Sequence, residues 1–219
     1  MAKKEDWSLI LPRKEEGGDI MIITIGRQSG SGGKEIGEKI AKRLGYTFYD
    51  KEILSMAAED SGFSAAAVQQ YDEKPGSSLL YGLYMTTTAS ADSLPLNQQL
   101  AFSQFNVIRK VAMEDNCVIV GRCADYILRE HKNLLTIFFS APNEYRVKRI
   151  MTEEGIGSAS LAEKTIRKRD KARAEYYNFF THKKWGEAGN AMLSIDTSIM
   201  TPDEIAALVA DAVTMMERH

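Results

Sequence analysis

The chain has 219 residues, 44% of them hydrophobic, so it can bury one sizeable core and fits a single domain or a domain with an insertion. Its 28 basic and 30 acidic side chains leave a formal net charge of −2, which gives no global attraction to nucleic acid or to anionic lipid. The two cysteines, Cys117 and Cys123, are too few and too badly spaced for a zinc site or a disulfide framework.

Residues 1–20 open with MAKKEDWSLI, which lacks the apolar run of a signal peptide, and we expect them to form a loosely attached extension. No segment has the roughly eighteen apolar residues that a membrane-spanning helix needs. We therefore expect a reduced, cytoplasmic protein without a membrane or nucleic-acid partner. The sequence leaves its oligomeric state open.

From residue 21 to 219 the chain alternates short apolar runs, which predict strands, with segments of helical spacing. The predicted strands are 21–25, 46–49, 117–120, 134–139 and 192–195. The predicted helices are 34–44, a segment after Asp50, a stretch through Leu100 and Val111, 143–154, 161–180, and a last helix that opens with a capping box at Thr201 and Glu204. The pattern degrades after residue 60, which predicts an irregular insertion at about 61–100.

These strands are continuously apolar and are separated by segments of helix length. That arrangement predicts an α/β fold, with a five-stranded parallel sheet covered by helices on both faces. Ligands are then expected at the carboxyl ends of the strands.

The segment MIITIGRQSGSGGKEIG (21–37) places five glycines between the first strand and the first helix. Free amides at such a junction carry partial positive charge, and residues without side chains let phosphate oxygens approach closely. We therefore predict a phosphate site at Ser29, Gly30, Ser31, Gly32, Gly33 and Lys34. The alternative is a turn in which the glycines only make room for helix packing.

Two phosphate-binding motifs fit this loop imperfectly. A dinucleotide fingerprint, G-x-G-x-x-G, could start at Gly30 and Gly32, but its third glycine is Glu35. Asp50 lies near the position of a ribose-binding acid in that motif. The triphosphate motif G-x-x-x-x-G-K-[ST] could use Gly33 and Lys34, but then its first glycine is Gln28 and its hydroxyl residue is Glu35.

Four segments decide between these motifs, because together they resemble the cytidylate kinase-like family, a branch of the nucleoside monophosphate kinases. In chain order they are GRQSGSGGKEIGEKIAKRLGYTFYDKEIL, CVIVGRCADYIL, KTIRKRDKARAEYYNFF, and MLSIDTS before the capped last helix. The resemblance runs from about residue 21 to the end. It implies a P-loop NTPase fold with an insertion on the substrate side and a basic lid at about 155–185.

The glycine loop departs from that family's ordinary pattern, GPSGAGKGT. In the best overlay Arg27 takes the first glycine position, Gly33 the lysine position and Glu35 the threonine position, so Lys34 falls one residue late. Adjacent helix residues point about 100° apart, so Lys34 cannot take the direction of the missing lysine without a reshaped loop. We expect Arg27, whose planar fork can bind phosphate bidentately, to supply the charge, and Lys34 to pair with Glu38.

Residues 163–175 are predicted to be the lid, because they contain six basic side chains against three acidic ones. Arg169 and Arg173 share a helix face at spacing four and are predicted to stabilise charge during phosphoryl transfer. The alternative is a solvated helix with Glu163 paired to Arg167. We interpret Arg146 and Arg149, on the preceding helix, as structural, and the alternative is that one of them contacts phosphate.

GRCAD (121–125) is the second candidate site, because it resembles the GRD segment that lies near the monophosphate in cytidylate kinases. Arg122 and Asp125 are therefore predicted to bind substrate, while Cys123 is expected to be a packed thiol. Asp125 could equally cap a helix. Asp50 has the same two interpretations, as a cap or as an acceptor for a sugar hydroxyl or a base amine.

The resemblance implies transfer of the γ-phosphoryl group of ATP to a small acceptor, with Mg²⁺ as cofactor and CMP or a related pyrimidine nucleotide as substrate. Two other hypotheses remain from the sequence. One is a nucleotide-responsive binding protein that has lost catalysis, and the other is a dinucleotide-binding oxidoreductase. The three histidines are scattered and suggest no metal site.

Overall fold

A computed structural model describes residues 20–60 and 96–218 of the chain. Its strands are β1 (Ile22–Arg27), β2 (Thr47–Tyr49), β3 (Cys117–Val120), β4 (Leu134–Ser140) and β5 (Leu193–Asp196). Its helices are α1 (Gly33–Leu44), α2 (Glu52–Asp60), α3 (Leu96–Glu114), α4 (Ala124–Ile127), α5 (Asn143–Glu154), α6 (Ala159–Thr181) and α7 (Pro202–Met216), with a 3₁₀ turn at Ala188–Asn190. None of the helices in these two ranges is long and apolar enough to cross a membrane.

The five strands form one parallel sheet in the order β2-β3-β1-β4-β5. β1 lies at the centre, where Ile22 pairs with Cys117 of β3 on one side and with Leu134 of β4 on the other. The carboxyl ends of β1 and β3 are therefore neighbours. This register brings the glycine loop after β1 beside the GRCAD segment after β3.

Helices cover both faces of the sheet, as the continuously apolar strands predict. Along β1 the side chain of Ile22 belongs to one buried cluster and those of Ile23 and Ile25 belong to the other. The first cluster includes residues of α2, α3, α4 and α6, and the second includes residues of α1 and α7. A small third cluster of Ile150, Ala162 and Ile166 joins α5 to α6.

The sequence-based assignment of strands and helices is confirmed, with shifts of a few residues at the ends. The capping box at Thr201 and Glu204 is present at the start of α7. α3 begins at Leu96, so residues 96–100 are helical and the expected irregular insertion does not extend over them. The rest of that insertion, 61–95, and the predicted extension at 1–19 lie outside the described residues.

Candidate phosphate-binding site

The glycine loop joins the end of β1 at Arg27 to the start of α1 at Gly33. Gly30 and Gly32 have φ angles of 79° and 78°, a left-handed conformation that favours glycine. Gly32 caps α1 without a side-chain hydrogen bond, and Ile36 is the first residue whose amide bonds back to the cap. The amides at the first turn of α1 therefore have no intrahelical partner and are available to an anion.

Helix α5 covers one side of this loop so closely that side chains are excluded there. A Cβ added at Gly30 would lie 2.7 Å from the carbonyl oxygen of Arg146, and one at Gly32 would lie 2.8 Å from Nη1 of Arg149. Arg149 also donates from Nη2 to Oε2 of Glu35, at 2.5 Å. Glu35, which stands at the threonine position of the ordinary motif, is thus engaged by an arginine.

The two cations at the mouth of the loop converge on one carboxylate. Nη2 of Arg27 donates to Oδ1 of Asp50 at 3.3 Å, and Nζ of Lys34 lies 3.8 Å from Oδ2 of the same residue. Lys34 also lies 3.7 Å from Oε1 of Glu38, which is the pairing that the sequence predicts. Asp50 is buried, with 8% of its surface exposed, and α2 begins two residues later at Glu52. Its carboxylate faces the loop's cations, which favours the interpretation of Asp50 as an acceptor over that of a helix cap.

A carboxylate from the predicted lid helix reaches the loop backbone. Oδ1 of Asp170 on α6 accepts the Ser29 amide at 2.7 Å, and Oδ2 accepts Nη1 of Arg146 at 2.7 Å. Nη1 of Arg173 lies 3.6 Å from Oδ1 and donates to the carbonyl of Arg27 at 3.3 Å. Three groups, a loop amide and two guanidinium groups, therefore surround one carboxylate.

The two lid arginines predicted to act together point to different partners. Arg173 is directed at the loop, and burial lowers the pKa of its guanidinium from the usual value. Arg169 forms a two-point pair with Glu154 at the end of α5, with distances of 2.5 Å and 3.0 Å. The exposed pair Glu163–Arg167 forms at 3.9 Å, as expected for the solvated face of the helix.

The segment after β3 has a strained backbone. Gly121, Arg122 and Cys123 have φ angles of 78°, 57° and 56°, and only the first is a glycine. Left-handed conformation in consecutive residues with side chains is costly and is concentrated at functional sites. Cys123 itself is buried, and burial raises the pKa of its thiol, as expected for a packed and unreactive cysteine.

Asp125 and Tyr177 form a hydrogen-bonded pair beneath this segment. The Tyr177 hydroxyl donates to Oδ2 of Asp125 at 2.7 Å, and burial raises the pKa of that carboxyl despite this bond. Cys123 is the N-cap of α4, and Asp125 lies in the first turn of that helix. The hydroxyl of Tyr176, also on α6, is buried and has no partner among the described residues.

A model of the cytidylate kinase-like family matches residues 22–199. The chain belongs to this family. It is 25% identical over 204 residues to a protein named cytidylate kinase from Pyrococcus horikoshii, with 91% of each chain covered. These matches confirm the resemblance to the family, and the family model covers residues 22–199 of the segment that runs from about residue 21 to the end.

Solved structures share the fold of this chain. An uncharacterized protein from Eubacterium ventriosum superposes with a TM-score of 0.69 at 30% identity, over 89% of this chain and 98% of that one. A shikimate kinase from Acinetobacter baumannii superposes with a TM-score of 0.51 at 12% identity, over 90% and 94%, which shows the shared fold alone. The predicted P-loop NTPase fold is therefore confirmed.

The dinucleotide hypothesis is not supported by the sheet of this cytidylate kinase-like chain. Dinucleotide-binding sheets commonly have the strand order 3-2-1-4-5-6, in which the second strand lies beside the first. Here β3 lies between β2 and β1. The glycine loop therefore belongs to a kinase-like fold, and its departures from the ordinary motif are variations within that fold.

The structure brings most of the predicted site residues to one end of the sheet, and it adds three residues that the sequence analysis did not assign to the site. Arg146 and Arg149, interpreted as structural, both contact the glycine loop, and Asp170 was not singled out at all. The sequence did offer a signal for the two arginines. They lie three residues apart, in the first turns of the helix that follows β4. The carboxyl end of a strand beside β1 is where such a helix begins.

Proposed function

We propose that this protein transfers the γ-phosphoryl group of ATP to a nucleoside monophosphate, with CMP as the preferred acceptor. Membership of the cytidylate kinase-like family supports a kinase acting on a small substrate. The naming of the Pyrococcus horikoshii relative supports CMP. The observation that carries the proposal is the anion-binding geometry at Ser29, where a loop amide and two arginines surround a carboxylate.

Binding of the triphosphate would use the backbone first. The unpaired amides in the first turn of α1 are suited to phosphate oxygens, and Gly30 and Gly32 leave the backbone accessible on the side that α5 does not cover. Arg27 and Lys34 flank this cradle from the strand end and the helix start. Arg173 approaches from α6 and would place a guanidinium against the group in transfer.

Catalysis here requires alignment and neutralisation of charge more than proton transfer. The attacking oxygen of a nucleoside monophosphate already carries negative charge, so no general base is needed. Preorganised cations lower the barrier when they face the position where charge develops. Arg27 and Arg173, both anchored by hydrogen bonds, meet that requirement better than the exposed Lys34.

The acceptor would bind beside the triphosphate, at the carboxyl end of β3. Arg122 is held in a strained backbone next to Arg27 and would contact the monophosphate. Asp50 and Asp125 are the carboxylates on this side of the sheet and would accept hydrogen bonds from a sugar or base. Asp125 already accepts the Tyr177 hydroxyl.

Mg²⁺ would enter with the triphosphate. The described residues contain no cluster of three or more metal-ligating side chains, and Mg²⁺ is commonly held by phosphate oxygens and water with one or two carboxylates. Glu35, Asp50 and Asp170 are carboxylates at the loop, and each is paired with an arginine. The ion would supply further neutralisation of phosphate charge, and one of these carboxylates would have to leave its arginine to ligate it.

The proposal is tested by measuring ADP release with ATP and Mg²⁺ across a panel of nucleoside monophosphates. We expect release that depends on the acceptor and is fastest with CMP. Acceptor-dependent release that favours another monophosphate would retain the kinase and replace the substrate. ATP binding without acceptor-dependent ADP release would favour the second candidate, a nucleotide-binding protein without transfer, for which Gly33 at the lysine position is the supporting observation.

A further inference from the structure

The carboxylate of Asp170 contacts the backbone of the glycine loop. Its carboxylate accepts the amide of Ser29 and the guanidinium of Arg146, each at 2.7 Å, and Arg173 lies 3.6 Å away. The side chains of Arg146 and Asp170 are largely buried, with 12% and 16% of their surfaces exposed. The contact is therefore a specific, mostly desolvated interaction.

The donors around this carboxylate are those that bind phosphate oxygens. A backbone amide of a glycine-rich loop between a strand and a helix is an anion-binding group, and arginine matches phosphate and carboxylate equally well in geometry. The Nε atom of Arg146 is buried and has no hydrogen-bond partner among the residues described, so this guanidinium retains an unused donor. The same donors cannot bind the carboxylate and a phosphate oxygen at once.

We propose that Asp170 is an internal competitor for the phosphate site, and that the amide of Ser29 with Arg146 and Arg173 forms a subsite for an oxygen of the triphosphate. The inference rests on the proposed function for the identity of the ligand. Triphosphate binding displaces the carboxylate of Asp170 from Ser29, and Arg146 and Arg173 exchange the carboxylate for phosphate.

This arrangement couples the phosphate site to the position of helix α6. Asp170 and Arg173 lie three residues apart on α6, so they share one face of the helix. Displacement of Asp170 leaves Arg173, which contacts the loop at the carbonyl of Arg27, to face the incoming charge. The helix thus carries both the group that occupies the site without ligand and a group that stabilises the ligand when it binds.

The test compares the affinity of inorganic tripolyphosphate for the wild-type chain and for Asp170→Asn, measured by calorimetry. The amide keeps an acceptor for Ser29 but removes the competing negative charge. If the carboxylate occupies the site about nine-tenths of the time, its loss tightens binding about tenfold. Asp203→Asn is the matched control, because Asp203 pairs with Lys39 on an exposed surface and its loss leaves the affinity unchanged.

An affinity that is unchanged or weaker in a folded Asp170→Asn protein overturns the inference, because a purely structural carboxylate would help the loop to bind. Asp170→Ser is the second variant, since its hydroxyl can also accept the Ser29 amide. If neither variant folds, the carboxylate is structural and the inference is equally wrong. Asp170→Glu keeps the charge and is expected to bind more weakly than Asp170→Asn.

The outcome is separate from that of the proposed function, because tripolyphosphate binding requires no acceptor and no transfer. Tighter binding in Asp170→Asn without any kinase activity would support the competing carboxylate and reject the kinase. Acceptor-dependent ADP release in the wild type, with no gain in tripolyphosphate affinity in Asp170→Asn, would support the kinase and reject the competing carboxylate.

Discussion

Arg27 reaches Asp50 across the carboxyl end of an intervening strand. The two residues are joined at 3.3 Å, yet Arg27 ends β1 and Asp50 follows β2, and β3 lies between those strands. The guanidinium passes over Gly121, where an added Cβ would meet Nη1 of Arg27. One ion pair therefore connects the glycine loop, the segment after β3 and the start of α2.

Arg27 is expected to supply the charge that the loop lacks at Gly33. Replacing Arg27 with alanine should lower turnover about a hundredfold or more, because it removes a preorganised donor facing the phosphates. Lys34→Ala should have a much smaller effect, since Lys34 is exposed and paired with Glu38. Steady-state kinetics and ATP binding distinguish the two, with Lys39→Ala as the control. A harmless Arg27→Ala beside a disabling Lys34→Ala would show that the overlay of the loop is one residue wrong.

Gly121 is expected to be intolerant of alanine for two reasons. Its φ angle of 78° costs an alanine about 1–2 kcal/mol, and the new methyl group would displace the guanidinium of Arg27. Turnover should therefore fall together with the free energy of unfolding measured in urea. Gly157→Ala is the control, because a Cβ there meets nothing within 4 Å. Full activity in Gly121→Ala would mean that the position of Arg27 is unimportant.

Arg173 and Arg169 are predicted to contribute to transfer, and their contacts suggest unequal effects. Arg173→Ala should reduce kcat about a hundredfold, far more than it weakens ATP affinity, because its guanidinium already reaches the loop. Arg169→Ala should reduce kcat less, since Glu154 holds that side chain. Glu154→Gln is a useful control, because it releases Arg169 without removing it. Unchanged turnover in both arginine variants would identify α6 as a charged surface only.

The strands, helices and loop could be predicted because each depends on local patterns: apolar runs, helical spacing, and glycines at one junction. Contacts between side chains that are far apart in sequence could not be predicted in this way. Asp170 lies 141 positions from Ser29 in sequence, and nothing in the sequence of a basic helix indicates which of its few acids will turn inward. Arg146 belongs to a charged helix whose sequence is typical of an exposed surface. Only the packing of α5 against the glycine loop places this arginine at the site.

The buried carboxyl of Asp125 gives a test by pH. Burial raises its pKa in the folded chain, so the folded state binds the proton more tightly than the unfolded state does. That contribution to stability is present below the unfolded pKa and is lost as pH rises through the folded pKa. Asp125→Asn stays neutral, so its free energy of unfolding relative to wild type should increase from pH 4 to pH 7.

The matched control for this pH test is Asp211→Asn, which removes an exposed carboxylate from α7 and measures the general effect of losing one charge. Both variants are unfolded in urea at each pH. If the free energy of unfolding of Asp125→Asn relative to wild type decreases as pH rises, burial does not destabilise the charged form of the Asp125 carboxyl.

The most direct test of the kinase assignment is a single-turnover reaction of ATP labelled at the γ-phosphoryl, with Mg²⁺, CMP and excess protein, followed by separation of the nucleotides. We expect label to leave ATP and to appear in CDP in equal amounts, and we expect Arg27→Ala to slow this transfer about a hundredfold. Label that stays in ATP, or that appears only as inorganic phosphate at the same rate with and without CMP, would contradict phosphoryl transfer by this glycine loop.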